Sequence, residues 1–318
     1  MSIRRVKTRL LAGVLAAVAA VSSAVVAGTS PAAADSALVY VHSTSMNKNI
    51  PVKILKAAGG GPAPTLYLLD GLRAPDDNNG WLINTDVVKF FANKHVNVVI
   101  PFGGGGTFYS DWERDDPKLG HVRWETFLTR ELPAYMRGQG SDGVHNAIAG
   151  LSMSGTSALN LAAHNPNFYQ GVASYSGYPT ASTPGFAQGI QVSVAQMGGN
   201  PLNMWGVWPS PSWFRNDPSL NAGALRGKRV YLSAGDGRSV DPTVNPLSGN
   251  FNPMWFTQMV PLEVASGIST DLFIPIAQAN GAILTTHTNE DGYHWWSYWQ
   301  ARLHESWRTT LGPALGVR

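Results

Sequence analysis

Short, almost wholly apolar runs recur along the chain, separated by stretches in which apolar residues return every three or four positions. Runs 65-TLYLLD-70, 96-VNVVIP-101, Val144 to Ala149, 170-QGVASYSG-177 and 229-RVYLSAG-235 read as buried strands. Leu38 to His42 and Val52 to Lys56 read as an opening strand pair, followed by a turn at 59-GGGPAP-64. Asp86 to Asn93, Trp124 to Met136, Met153 to His164 and Leu262 to Ala279 have helical spacing. His294 to Trp307 begins in a loop and continues as a terminal helix, and residues 178–226 read as irregular. Buried strands alternating with helices predict an α/β protein with a mostly parallel central sheet flanked by helices. Such a sheet places its ligand at the carboxyl ends of its strands. The loops after Asp70, Pro101, Gly150, Ser174 and Gly235 all lie at that end.

The first 34 residues stand apart from this pattern. Arg4, Arg5, Lys7 and Arg9 precede a small-residue apolar stretch from Leu10 to Ala27, and 31-PAAA-34 offers an A-x-A cleavage pattern. This reads as a secretory signal peptide, leaving residues 35–318 as the mature domain. The other reading, a membrane anchor, is weakened by an Ala-rich run near the lower limit for a span. With that leader removed, no transmembrane span is expected.

The leader also changes the charge. It holds four of the 23 basic residues and none of the 20 acidic ones, which leaves 19 against 20. A nearly neutral mature chain argues against a nucleic-acid partner. The sequence has no cysteine, so an exported chain must be held by its core rather than by disulfides. About 284 residues can form such a core in one domain.

The candidate chemistry lies at 150-GLSMSG-155, between the strand ending at Ala149 and the helix starting at Met153. A serine on a tight strand-to-helix turn is lifted clear of the sheet as an exposed nucleophile. Ser152 has the right offset from Gly150, with Ser154 small enough to stand where glycine is usual. Ser154 as nucleophile, or a plain helix N-cap, are the weaker readings. In such a turn the Met153 N–H would face a developing oxyanion, with a second N–H supplied from the loop 70-DGLRAPDDNNG-80.

A proton acceptor is expected late in the chain. His294, heading 294-HWWSYW-299, is the best placed histidine, ahead of His287 and His304. The acid is harder to place. Topology alone selects Asp236, directly after the strand 229–235, with Glu263, Asp241 and Asp271 as other candidates.

The blocks 67-YLLDGLRAPDDNNGWLINT-85, 108-FYSDW-112, 124-WETFLTRELP-133, 150-GLSMSG-155, 203-NMWG-206, 215-RNDP-218 and 294-HWWSYW-299 together resemble the antigen 85 family of mycolyltransferases. They run in order over most of the mature chain. The resemblance implies an α/β-hydrolase fold without a separate lid domain. It implies Ser152 as nucleophile, His294 as base and, counting back from Gly281, Glu263 as acid in place of Asp236. It maps the oxyanion N–H groups to Leu72 and Met153, and the trehalose contacts to Asp70, Arg73, Asn84, His294 and Trp296.

The activity so implied is ping-pong acyl transfer from trehalose monomycolate to a second trehalose monomycolate or to cell-wall arabinogalactan, with no metal or organic cofactor. The alternatives are a secreted carboxylesterase on the same fold and a non-catalytic cell-wall binding protein. Two departures stand out. Trp295 occupies a position where the family has a small residue. The segment 87-VVKFFANKHV-96 lacks the Trp and Tyr of the family's fibronectin-binding region, which counts against fibronectin binding.

Overall fold

A computed structural model describes residues 36–239, 245 and 247–317. The leader and Asp241, one of the acid candidates, lie outside these residues. Among the described residues, eight strands form one sheet: β1 (Ser36–Ser43), β2 (Lys48–Leu55), β3 (Ala63–Leu69), β4 (Asn97–Pro101), β5 (Ser141–Leu151), β6 (Tyr169–Tyr175), β7 (Arg229–Gly235) and β8 (Ile283–Glu290). Their order is β1-β2-β4-β3-β5-β6-β7-β8. β1 and β2 pair antiparallel, β2 pairs antiparallel with β4, and the remaining pairs are parallel. This is the mostly parallel sheet of the α/β-hydrolase fold.

The central strands are apolar on both faces because each face is covered. Alternation along β3 sends Tyr67 and Leu69 into one core and Leu66 and Leu68 into the other. The first core also holds Leu159 and Leu161 of the helix Met153–His164, and Phe273 and Ala277 of the long helix Pro253–Ala279. The second holds Trp81 and Phe91 from the segment after β3, with Trp299, Leu303 and Trp307 near the C-terminus.

Three elements differ from the sequence reading. The strand β8 was not expected, because 283-ILTTHTNE-290 is largely polar and only partly buried, as suits the sheet edge. The segment 178–226 is not uniformly irregular: Phe186–Gln196 is a helix, and Pro201–Trp205 and Pro211–Arg215 are short ones. The long helix starts at Pro253, well before Leu262, and runs through Pro261 and Pro275. By length and composition it is apolar enough to cross a membrane. Here it packs against β7 and β8. Its Gly267 allows this: a Cβ there would lie 3.2 Å from the Gly235 carbonyl oxygen.

Candidate active site

The turn after β5 is as tight as its sequence requires. Ser152 sits at φ 53°, ψ −121°, a strained conformation for a residue with a side chain. Its N–H donates to the Tyr175 carbonyl at 2.8 Å, which ties the turn to β6. A Cβ on Gly150 would lie 2.2 Å from the Ser154 carbonyl oxygen, so glycine is obligatory there. Ser154 is fully buried. Its hydroxyl accepts from the Leu151 N–H at 2.9 Å and lies 3.1 Å from the Leu69 carbonyl. A serine therefore stands where glycine is usual because its one polar atom is satisfied inside the turn.

Ser152 is half-buried, and its Oγ lies 2.8 Å from His294 Nε2. His294 Nδ1 lies 2.7 Å from Glu263 Oε2. A carboxylate at Nδ1 fixes the proton there and leaves Nε2 free to accept from the serine hydroxyl. Glu263 and His294 are both buried. The other oxygen of Glu263 accepts from the Gly235 N–H at 2.6 Å and from the Ser176 hydroxyl at 2.9 Å. The structure thus brings Ser152, His294 and Glu263 into one chain of hydrogen bonds.

Among the described residues, Asp236, His287 and His304 are engaged elsewhere. Asp236 accepts from Arg238 Nε at 2.7 Å. Slight burial pushes its carboxyl up, but the hydrogen bonds and charge of Arg238 outweigh this and hold it below the usual carboxylate value. Asp271 is exposed on the long helix. His287 pairs with Glu290 and Glu305, and His304 stacks on Phe90 and bonds to Asp86.

Leu72 and Met153 emerge together at the carboxyl end of the sheet. β3 and β5 are neighbours with Leu69 opposite Gly150, so each of the two residues lies three positions past a paired one. The loop after β3 closely approaches the end of β5: a Cβ on Gly71 would lie 2.8 Å from Leu151 Cδ1.

Asp70, Asn84 and Trp296 gather around Gly80. Asp70 is buried at the end of β3, and its two oxygens accept from the Gly71 N–H at 2.7 Å and the Gly80 N–H at 2.6 Å. Burial raises its carboxyl above the usual value, and the Gly80 and Gly71 N–H groups pull partly the other way. The Asn84 side-chain amide donates to the Gly80 carbonyl at 3.1 Å. Trp296 packs edge-to-face on Trp81 and so close to Gly80 that a Cβ there would lie 2.2 Å from the indole. Arg73 is exposed in the loop after β3.

Sequence reasoning missed Ser176 and the Gly235 N–H, which donate to Glu263, and Trp299, which donates to Ser176. Trp299 closes the block 294-HWWSYW-299 without being singled out in it, and no short motif marks the other two. The only available signal was position: Ser176 and Gly235 stand at the carboxyl ends of neighbouring strands.

The chain is similar to known proteins over most of its length. Residues 43–310 match the family described as "Putative esterase". The chain is 36% identical over 273 residues to the diacylglycerol acyltransferase/mycolyltransferase Ag85B of Mycobacterium leprae, covering 84% of this chain and 80% of that protein. It is 36% identical over 310 residues to the corresponding Ag85C of Mycobacterium avium, covering 95% and 84%. Among solved structures, Mycobacterium tuberculosis MPT51 superposes with a TM-score of 0.73 at 25% identity, over 89% of this chain and 99% of that one. The chain belongs to this esterase-type family, among the antigen 85 mycolyltransferases.

Proposed function

We propose that the protein is an exported serine acyltransferase that moves a mycolyl group from trehalose monomycolate to a sugar hydroxyl. The acceptor is a second trehalose monomycolate or cell-wall arabinogalactan. The observation that carries the reading is the unbroken chain from Ser152 Oγ through His294 to Glu263, in a relative of acyltransferases.

In the first half-reaction Ser152 Oγ attacks the ester carbonyl while His294 Nε2 takes its proton. Glu263 holds the imidazole in place and stabilises the imidazolium. The Leu72 and Met153 N–H groups receive the oxyanion. His294 then returns the proton to the departing trehalose oxygen, leaving an acyl group on Ser152. In the second half-reaction a sugar hydroxyl gives its proton to His294 and attacks the acyl-enzyme, which restores the serine.

Asp70, Arg73, Asn84 and Trp296 form the sugar side of the site. A carboxylate, an amide and a guanidinium offer directional bonds to hydroxyls, and an indole face packs on a sugar ring. The cleavable leader pattern supports an exported protein working in the cell envelope.

The experiment is to mix the enzyme with a trehalose monoester, quench on the millisecond scale and weigh the intact protein. The reading predicts an added acyl mass on Ser152 that disappears when trehalose is supplied. Turnover with no acyl adduct, or undiminished turnover by Ser152→Ala, would reject it.

A further inference from the structure

We propose that Ser176 is a positioning residue for the reaction, and that Trp299 sets the direction in which its hydroxyl acts. The proposal rests on the reading of Ser152, His294 and Glu263 given above.

Ser176 follows β6 and adopts φ 50°, in the left-handed region. Its N–H donates to the Ser233 carbonyl of β7 at 2.7 Å, which fixes its backbone over the end of that strand. Its Oγ has two partners: it lies 2.9 Å from Glu263 Oε1 and accepts from Trp299 Nε1 at 3.0 Å. An indole N–H can only donate, so the hydroxyl proton of Ser176 must point at the carboxylate.

With the Gly235 N–H on the same oxygen, Oε1 receives two donors and Oε2 is left for His294 Nδ1. Trp299 also meets the imidazole directly, its ring edge-to-face with His294 at a centroid distance of 5.0 Å and an interplanar angle of 88°. Ser176, Trp299, His294 and Glu263 therefore close a loop that holds both ends of the Glu263–His294 bond. Ser176 and Trp299 are themselves buried, so this arrangement is built into the interior.

A hydrogen bond to a carboxylate lowers its basicity. Removing the Ser176 hydroxyl leaves Glu263 a stronger base, which holds the imidazolium more tightly. The acid limb of the rate profile then moves to higher pH. Among the described residues, the other titratable or charged groups beside Glu263 are Tyr178 and, around a small adjoining cavity, His287, Glu290, Asp291, Tyr298 and Arg302. The substitutions below leave all of them in place.

The test compares wild type, Ser176→Gly and Trp299→Phe in hydrolysis of p-nitrophenyl butyrate across pH, with thermal unfolding measured on each. Glycine suits the left-handed backbone, so Ser176→Gly removes the hydroxyl without adding strain. Trp299→Phe keeps an aromatic ring in the core but removes the N–H together with part of the indole. Ser176→Gly should lower kcat about tenfold, keep KM within about twofold, and move the acid limb of the rate profile to higher pH. Trp299→Phe should move both in the same direction by less. An unchanged acid limb in Ser176→Gly, whether or not thermal stability falls, would reduce Ser176 to a structural residue and overturn the proposal. Labelling of wild type with a fluorophosphonate separates the two levels. A labelled, active wild type with an unchanged Ser176→Gly profile sinks this proposal alone. An unlabelled wild type sinks the Ser152 reading and this proposal with it.

Discussion

Glu263 Oε2 lies 2.7 Å from His294 Nδ1, while Asp236, at the exit of β7, turns away to Arg238. An amide at position 263 would favour the wrong imidazole tautomer and would not stabilise the imidazolium. Glu263→Gln should therefore lower kcat by on the order of a thousandfold or more. Asp236→Asn breaks an ion pair open to solvent and should leave kcat within about twofold. Steady-state ester hydrolysis by the two variants checks both values, and the reverse ranking would make Asp236 the acid.

The two serines of the turn should separate cleanly. Ser152→Ala should lose covalent labelling by a fluorophosphonate. Ser154→Ala should label normally, because its hydroxyl bonds inward to Leu151 and Leu69. It should instead lose about 1–3 kcal/mol of stability, since buried backbone groups lose their partner. Labelling followed by denaturant unfolding gives both readings.

Gly80 should be intolerant of any side chain. A Cβ there would meet the Trp296 indole at 2.2 Å and Asp70 Oδ1 at 2.9 Å. Gly80→Ala should displace Trp296 and destabilise the fold by about 1–3 kcal/mol. On the proposed sugar side, it should also raise the KM for trehalose more than the KM for a small ester lacking sugar. Paired kinetics with the two substrates, plus thermal unfolding, test this.

Asp70 makes a prediction with a defined sign. Its carboxyl is raised by burial, so the folded state holds the proton more tightly than the unfolded chain does. Its contribution to stability is then fully present below the ordinary carboxylate value. It is lost as pH rises through the interval up to the raised one. Asp70→Asn removes this titration. The stability difference, wild type minus variant, should fall as pH rises above the ordinary carboxylate value. Unfolding free energies of both proteins over that range decide it, and a difference that grows with pH would show that the Gly71 and Gly80 N–H groups outweigh burial.

The parts of the fold that the sequence made plain are those where local pattern and environment coincide. The strand 229–235 and the helix Met153–His164 were read with the same ends the structure gives them. One is a largely apolar run and the other starts at a tight turn and stops at Asn165-Pro166. β8 escaped notice because an edge strand with a wet face lacks the apolar run of a central one. Pro261 disguised the start of the long helix, since an interior proline reads as a boundary. That error bears on the site. Glu263 sits two residues after Pro261, so local pattern offered no reason to prefer it to an aspartate at a strand end. Only likeness to a family selected it. The Gly80–Trp296 contact joins segments far apart in sequence, and no local pattern could reveal it.

The measurement closest to the central claim is product analysis with a trehalose monoester as donor, with and without added trehalose. The account predicts that trehalose captures the acyl group from Ser152, so that transfer products rise with trehalose at the expense of free acid. Ser152→Ala should yield neither. Free acid as the sole product, in an amount indifferent to trehalose, would contradict the account and make the protein a hydrolase.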